Sequence, residues 1–323
     1  MASLRGGIDL GGTKIQTVVV DGRNKVRGEA RGPTPSSGGP PDVAAAMAAA
    51  MRDAATEAKT DTTELEGIGV GAPGDADPNG VVSAASNLPD WDGSFPLAAH
   101  LQQDLGSPVR VGGDVQVATE AEFRLGAGKP YRSILGVFLG TGVGGGLVLD
   151  GRPWTGRGNA GEIGHMVVKR GGAHCPCGRR GCLEAYAGRG AMEQRARREH
   201  EDGTKTDLFK IMKRRGDDRL KSGVWQEAVE GSDKLATELI DRAIKALGAG
   251  IASAVNLLDP EAVIVGGGLG TRFGEPYVER IEKRMHKHLF VDDRPPAMHV
   301  AKLGDLGGAI GAALLANGAD SRG

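Results

Sequence analysis

The 323-residue sequence predicts an α/β protein of two lobes with a cleft between them. Three observations carry that expectation: a length sufficient for two domains, 54 glycines against only twelve aromatics (3 Trp, 3 Tyr, 6 Phe), and short apolar runs that repeatedly end in glycine. Such a composition implies many tight backbone turns around an aliphatic core. Forty basic and forty-one acidic residues leave a net charge of −1, which offers no broad field for nucleic acid or for an anionic membrane. No apolar run approaches the roughly 20 residues of a membrane span, and no secretory leader pattern opens the chain. A cytoplasmic protein that handles small molecules is expected.

The first element reads Gly7-Ile-Asp9-Leu-Gly11-Gly12-Thr13-Lys14 and continues to Asp21, a strand, a glycine turn and a second strand. Two adjacent glycines let backbone N–H groups approach an anion, Thr13 adds a hydroxyl, and Asp9 can reach a magnesium ion through water. That set suits the end of a triphosphate, although it is not a Walker loop and an ordinary Gly-Gly turn is the plainer reading. Residues 31–41 read as a loop and Val43 to Ala58 as a helix. A buried strand then runs to Pro73-Gly74, and the loop beyond it carries Asn87 and Trp91, which either line a polar substrate or anchor the loop.

Val109-Arg-Val-Gly-Gly113-Asp114 is a short strand that delivers Asp114 to the start of a helix. An acid at that junction serves as a helix cap or as a general base facing the cleft. Next, Ser133 to Leu139 runs into Gly140-Thr141-Gly142-Val-Gly144-Gly-Gly146 and out through Leu147 to Asp150. The glycines match G-x-G-x-x-G, but an apolar run follows them where a dinucleotide fingerprint needs a helix. A second glycine hairpin is expected here, and the pair suggests phosphate clamps contributed by both lobes.

His165, Cys175, Cys177 and Cys182 lie within eighteen residues, and the chain has no other cysteine. Three thiolates and an imidazole complete a tetrahedral zinc set with no open position, so a structural ion is expected; a disulfide with a spare thiol is the other reading. Binding the ion would aim Glu162 and Glu184 at one place. Residues 191–233 read as solvated helical surface, Lys234 to Leu258 as an amphipathic helix, and Glu261 to Val265 as a strand ending in Gly266-Gly267-Gly268. A strand, a turn and a closing helix follow from Val300 to Leu315.

These residues resemble the ROK family of sugar kinases, and within it the bacterial glucokinases. Asp9 to Lys14 resembles the family's first phosphate loop, Gly140 to Gly146 its second, and Gly266 to Gly268 its adenosine loop. Glu162-x-Gly-His165 and Cys175-x-Cys177-Gly-x-x-Gly-Cys182-x-Glu184 resemble its sugar-and-zinc signature. The resemblance implies an actin-like ATPase (ribonuclease H-like) fold, with a small lobe over residues 1–115 completed by 305–323 and a large lobe over 116–304. It implies Asp114 as base, Glu162, His165 and Glu184 around the sugar, and His165, Cys175, Cys177 and Cys182 as zinc ligands. ATP and Mg2+ would lie on Asp9, Gly11, Gly12, Thr13, Lys14, Gly140, Thr141, Gly142, Gly144 and Gly266 to Gly268. Asn87 and Gly113 would face the sugar. Family members often form dimers or tetramers, so a homodimer or homotetramer is expected.

The resemblance implies an ATP-dependent hexokinase that transfers the γ-phosphoryl group to glucose, giving glucose 6-phosphate; the family's glucokinases usually carry Asn where this chain has Gly113, which keeps mannose, an N-acetylhexosamine or a related polyol as the alternative acceptor. A sugar-sensing regulator without turnover is the alternative from another class.

Overall fold

The computed structural model describes residues 3–85 and 88–316, and Asn87 lies outside them. Strands β1 (Leu4–Leu10), β2 (Lys14–Asp21) and β3 (Val26–Pro33) form an antiparallel meander. Helix α1 (Gly39–Glu57) follows; it begins four residues before the expected Val43, with Pro40 and Pro41 in its first turn, where a missing N–H costs nothing. Strand β4 (Ile68–Ala72) returns parallel to β1. A two-strand ribbon, β5 (Asp75–Ala76) and β6 (Val82–Ser83), leads to α2 (Leu97–Leu105) and then β7 (Val109–Gly113), which pairs parallel with β4. The first sheet therefore has the order β3-β2-β1-β4-β7.

Helix α3 (Asp114–Leu125) passes to a second sheet built in the same way. Strands β8 (Ile134–Leu139) and β9 (Val143–Leu149) form a hairpin, and β10 (Arg152–Pro153) adds to its edge. A short helix α4 (Glu184–Ala187) then begins a run of helices: α5 (Arg189–Glu201), α6 (Leu208–Arg214), α7 (Ser222–Glu230) and α8 (Lys234–Leu258). Strand β11 (Ala262–Gly266), helix α9 (Gly267–Met285) and strand β12 (Ala297–Val300) finish the sheet, ordered β10-β9-β8-β11-β12. Each sheet is thus a hairpin-led antiparallel edge followed by two parallel strands, so the doubling legible at Asp9 and Gly140 extends to whole lobes.

Residues 191–233 correct one expectation. Polar side chains dominate that stretch, yet Leu208, Leu220, Val224 and Trp225 are fully buried in the core of the second lobe, and the Trp225 indole N–H donates to the Leu220 carbonyl at 3.0 Å. Composition averaged over the stretch hid an inward face that only a few apolar residues supply.

The closing helix α10 (Gly307–Leu315) packs against the first sheet and α3. Its approach requires glycine in the strands: a Cβ at Gly7 would stand 2.0 Å from the Ala309 carbonyl oxygen, and one at Gly69 would stand 1.7 Å from that of Ala312. Because α3 starts at the end of β7 and packs on β9, the helix joins the two sheets directly. Among the described residues no helix is long and apolar enough to cross a membrane.

Candidate active site

Parallel strands present their carboxyl ends together, and loops there are the usual place for ligands in α/β sheets. In the first sheet Asp9 pairs with Gly71 and Ala72 pairs with Gly113, so β1, β4 and β7 bring Asp9 and Asp114 to one edge. Asp114 does not cap its helix. Gly113 occupies the cap position without a side-chain bond, and the Asp114 carboxylate accepts the adjoining Val115 N–H at 2.8 Å. Burial, the neighbouring Asp9 carboxylate and Glu162 together push the Asp114 carboxyl up to about 7. Burial likewise raises Asp9 to about 6, against the opposing pull of Lys14. Two acids with raised affinity for protons at one sheet edge mark a place built to hold a cation or move a proton.

The first glycine turn is closed by Gly11 N–H donating to the Lys14 carbonyl at 2.9 Å and is tied to the end of β3 by the Thr34 hydroxyl on the Gly11 carbonyl at 2.6 Å. Gly12 and Thr13 stay exposed. Lys14 turns its ammonium toward Asp305, 3.8 Å away, just before α10.

The second turn, Gly140 to Gly142, is closed by Gly140 N–H on the Gly142 carbonyl at 3.0 Å. It is the expected hairpin. Gly266 at the end of β11 lies beside Phe138 of β8, so the third glycine segment adjoins the second. Here the structure differs from a bare strand end: Gly267 and Gly268 open α9, with Gly267 at φ 75°, and a Cβ on Gly267 would strike the Leu139 backbone at 2.5 Å. The segment is a helix N-terminus pressed against the second loop.

Sequence reasoning missed Arg189, which sits where these loops meet. Its guanidinium donates to Thr141 Oγ1 at 3.3 Å and to Ser222 Oγ at 3.2 Å, and a Cβ on Gly268 would lie 3.7 Å from it. Burial and the nearby Arg219 lower its proton affinity, and among the described residues it has no ion-pair partner. No motif announces such a residue, because its partners lie 33 to 48 positions away in the chain.

The cysteine loop brings its four ligands together. His165 Nδ1 is 3.8 Å from Cys175 Sγ, Cys177 Sγ is 3.8 Å from Cys182 Sγ, and all four ligand atoms lie within 4.8 Å of one another. A tetrahedral centre with bonds of about 2.3 Å has edges of roughly 3.8 Å, so the donor set fits a zinc ion and none of the thiols is within bonding distance of another. Backbone N–H donation holds Cys177 down to about 7, while burial raises Cys175. His165 points its other nitrogen at Glu162, 3.8 Å away. The Glu184 carboxylate accepts the Val143 N–H at 2.9 Å, at the foot of the second glycine loop, and a Cβ on Gly142 would strike it at 2.2 Å.

Trp91 is 6% exposed and donates to the Val82 carbonyl at 3.3 Å, which makes it a loop anchor and removes it from the cleft. Gly113 has φ −62° and ψ 133°, ordinary extended backbone, and a Cβ there would meet only Gln116 Cβ, at 4.0 Å.

The ROK family profile matches residues 5–319. The chain belongs to the ROK family. It is 32% identical to the glucokinase of Thermotoga maritima over 271 residues, 83% of either chain. It is also 32% identical to the N-acetylgalactosamine kinase AgaK of a Shewanella species, over 98% of this chain and 97% of that one. The solved ROK glucokinase of Streptomyces griseus, in complex with glucose and AMPPNP, superposes with a TM-score of 0.82 at 33% identity, covering 98% of this chain and 100% of its own. The two lobes of this ROK protein are those of the actin-like ATPase fold.

Proposed function

We propose that this ROK protein is an ATP-dependent hexose kinase that transfers the γ-phosphoryl group to the 6-hydroxyl of glucose. The observation that carries the reading is the meeting of Asp114, raised to about 7 by Asp9, Glu162 and burial, with a cleft walled by glycine turns from both sheets. The family membership and the glucokinase relatives support the same activity.

Asp114, as carboxylate, accepts the proton of the attacking hydroxyl, and the rigid end of β7 sets its position. Phosphoryl transfer leaves the protein mainly positioning and electrostatic stabilisation to supply. Gly11 and Gly140 close the two turns through their own N–H bonds, which leaves the amides of Gly12, Thr141, Gly142 and the Gly267–Gly268 helix start to face the nucleotide, with the Thr13 and Thr141 hydroxyls beside them. Asp9 would hold magnesium, which when bound would supply positive charge against the phosphates. Glu162, Glu184 and the free nitrogen of His165 orient the sugar. His165, Cys175, Cys177 and Cys182 would hold a zinc ion, which would fix the loop that carries them and offer no open position for reaction. Sugar-dependent release of ADP by the purified protein, measured with glucose, tests the reading; its absence with every hexose overturns it.

A second acceptor is favoured by one residue. With Gly113 where family glucokinases usually carry Asn, the cleft has room beside the base, and the relatives include an N-acetylgalactosamine kinase. Higher kcat/KM for an N-acetylhexosamine than for glucose would replace glucose as the substrate while leaving the chemistry intact.

A further inference from the structure

A basic groove of about 360 Å³ lies between the cysteine loop and helices α5 and α8, and shares no lining residue with the site described above. Lys169, His174 and Arg180 of that loop form one wall, and Arg195, Arg198 and Arg242, from α5 and α8, form the other. No carboxylate lines it. Five permanent cations in a chain of net charge −1 is a local excess that their own neighbours do not neutralise. Of these five, only Arg195 has an ion-pair partner among the described residues, Glu199.

The floor is ordered. The Arg242 guanidinium lies 4.8 Å above the ring of Tyr186, which is 6% exposed, and the Tyr186 hydroxyl accepts the Ala173 N–H at 2.8 Å. On the opposite wall Arg180 donates to the Gly172 carbonyl at 3.1 Å and to His174 Nε2 at 2.8 Å, which holds its fork beside the groove. Guanidinium groups held in place by packing lose little freedom when they bind, and their geometry matches phosphate oxygens in pairs. The volume accepts a molecule the size of a sugar phosphate.

We propose that this groove binds a small phosphorylated anion, distinct from the substrates in the cleft. The two sources of such an anion are a sugar phosphate and an inorganic oligophosphate.

The test uses the full chain with its cleft saturated by glucose and a non-hydrolysable ATP analogue, and this filling step rests on the proposed kinase reading. Glucose 6-phosphate and pyrophosphate are titrated separately by calorimetry. One further equivalent binding to the wild type is expected, weakened about 10-fold or more by Arg198→Ala and by Arg242→Met, since each removes a charge-assisted hydrogen bond to the anion. Both variants should keep normal sugar-dependent ADP release, which reports separately on the kinase reading. Preference for one probe names the source. Absence of a further equivalent with both probes, or undiminished binding by both variants, overturns the site. If Arg242→Met fails to fold, the exposed Arg198→Ala decides alone.

Discussion

Replacing Asp114 by Asn keeps the shape of the side chain and removes its charge, so it separates the group's chemical role from its electrostatic cost. The carboxyl is raised from 3.8 to about 7 by burial, Asp9 and Glu162. As the base it must be ionised, and wild-type kcat/KM, which follows the free enzyme, should fall about tenfold for each pH unit below 7. In Asp114→Asn that limb disappears and kcat falls by about 10²–10⁴, the usual contribution of a general base. Stability should move the other way. A raised carboxyl means that the native state binds protons more tightly than the unfolded chain, so stability is lost as pH rises from about 4 to about 7 and the full penalty applies above 7. Three units at 1.36 kcal/mol each set an upper bound of about 4 kcal/mol, reduced because Asp114 is only half-buried by accessible area. Asn removes that penalty. Steady-state ADP release and denaturant unfolding at pH 5 and pH 8 provide both readouts. The variant should be nearly inactive at both values and more stable than the wild type mainly at pH 8. Turnover within about threefold of wild type would refute Asp114 as base, given a smallest expected loss of about 10². A less stable variant at pH 8 would refute the electrostatic account.

Metal analysis of the purified protein should find one zinc per chain, and Cys182→Ser, at a fully buried ligand, should lose it and raise the sugar KM about 10–100-fold; a metal-free wild type with normal kinetics would exclude the ion. Arg189→Lys keeps the charge but loses the fork between Thr141 and Ser222, so the KM for ATP should rise about 10-fold while that for sugar barely moves. An equal rise in both would make Arg189 a general structural residue. Gly113→Asn meets no atom closer than 4.0 Å at its first carbon and needs no unusual backbone, so a new amide bond to a sugar hydroxyl should lower the glucose KM up to about 10-fold. An unchanged or higher KM would show that the glycine is not what sets the affinity for glucose.

Features encoded over short spans were legible in the sequence. The four zinc-type ligands fall within eighteen residues, and the hairpins at Gly11 and Gly140 announce themselves because turn chemistry is local. Strand β7 delivering Asp114 to α3, and the apolar repeat from Lys234 to Leu258, were readable for the same reason. The chain order alone left other matters open. Arg189 acquires meaning only when α5, the second hairpin and α7 converge, and the buried face of residues 191–233 emerges only when Trp225 and Leu220 find the second lobe's core. Whether Asp114 caps a helix or faces a second acid depended on how β1 and β7 pack beside β4, since electrostatic shifts follow distance in space and burial. Local backbone preference writes turns and periodicities into the sequence, whereas the surroundings of a charged group are set only when distant segments close around it.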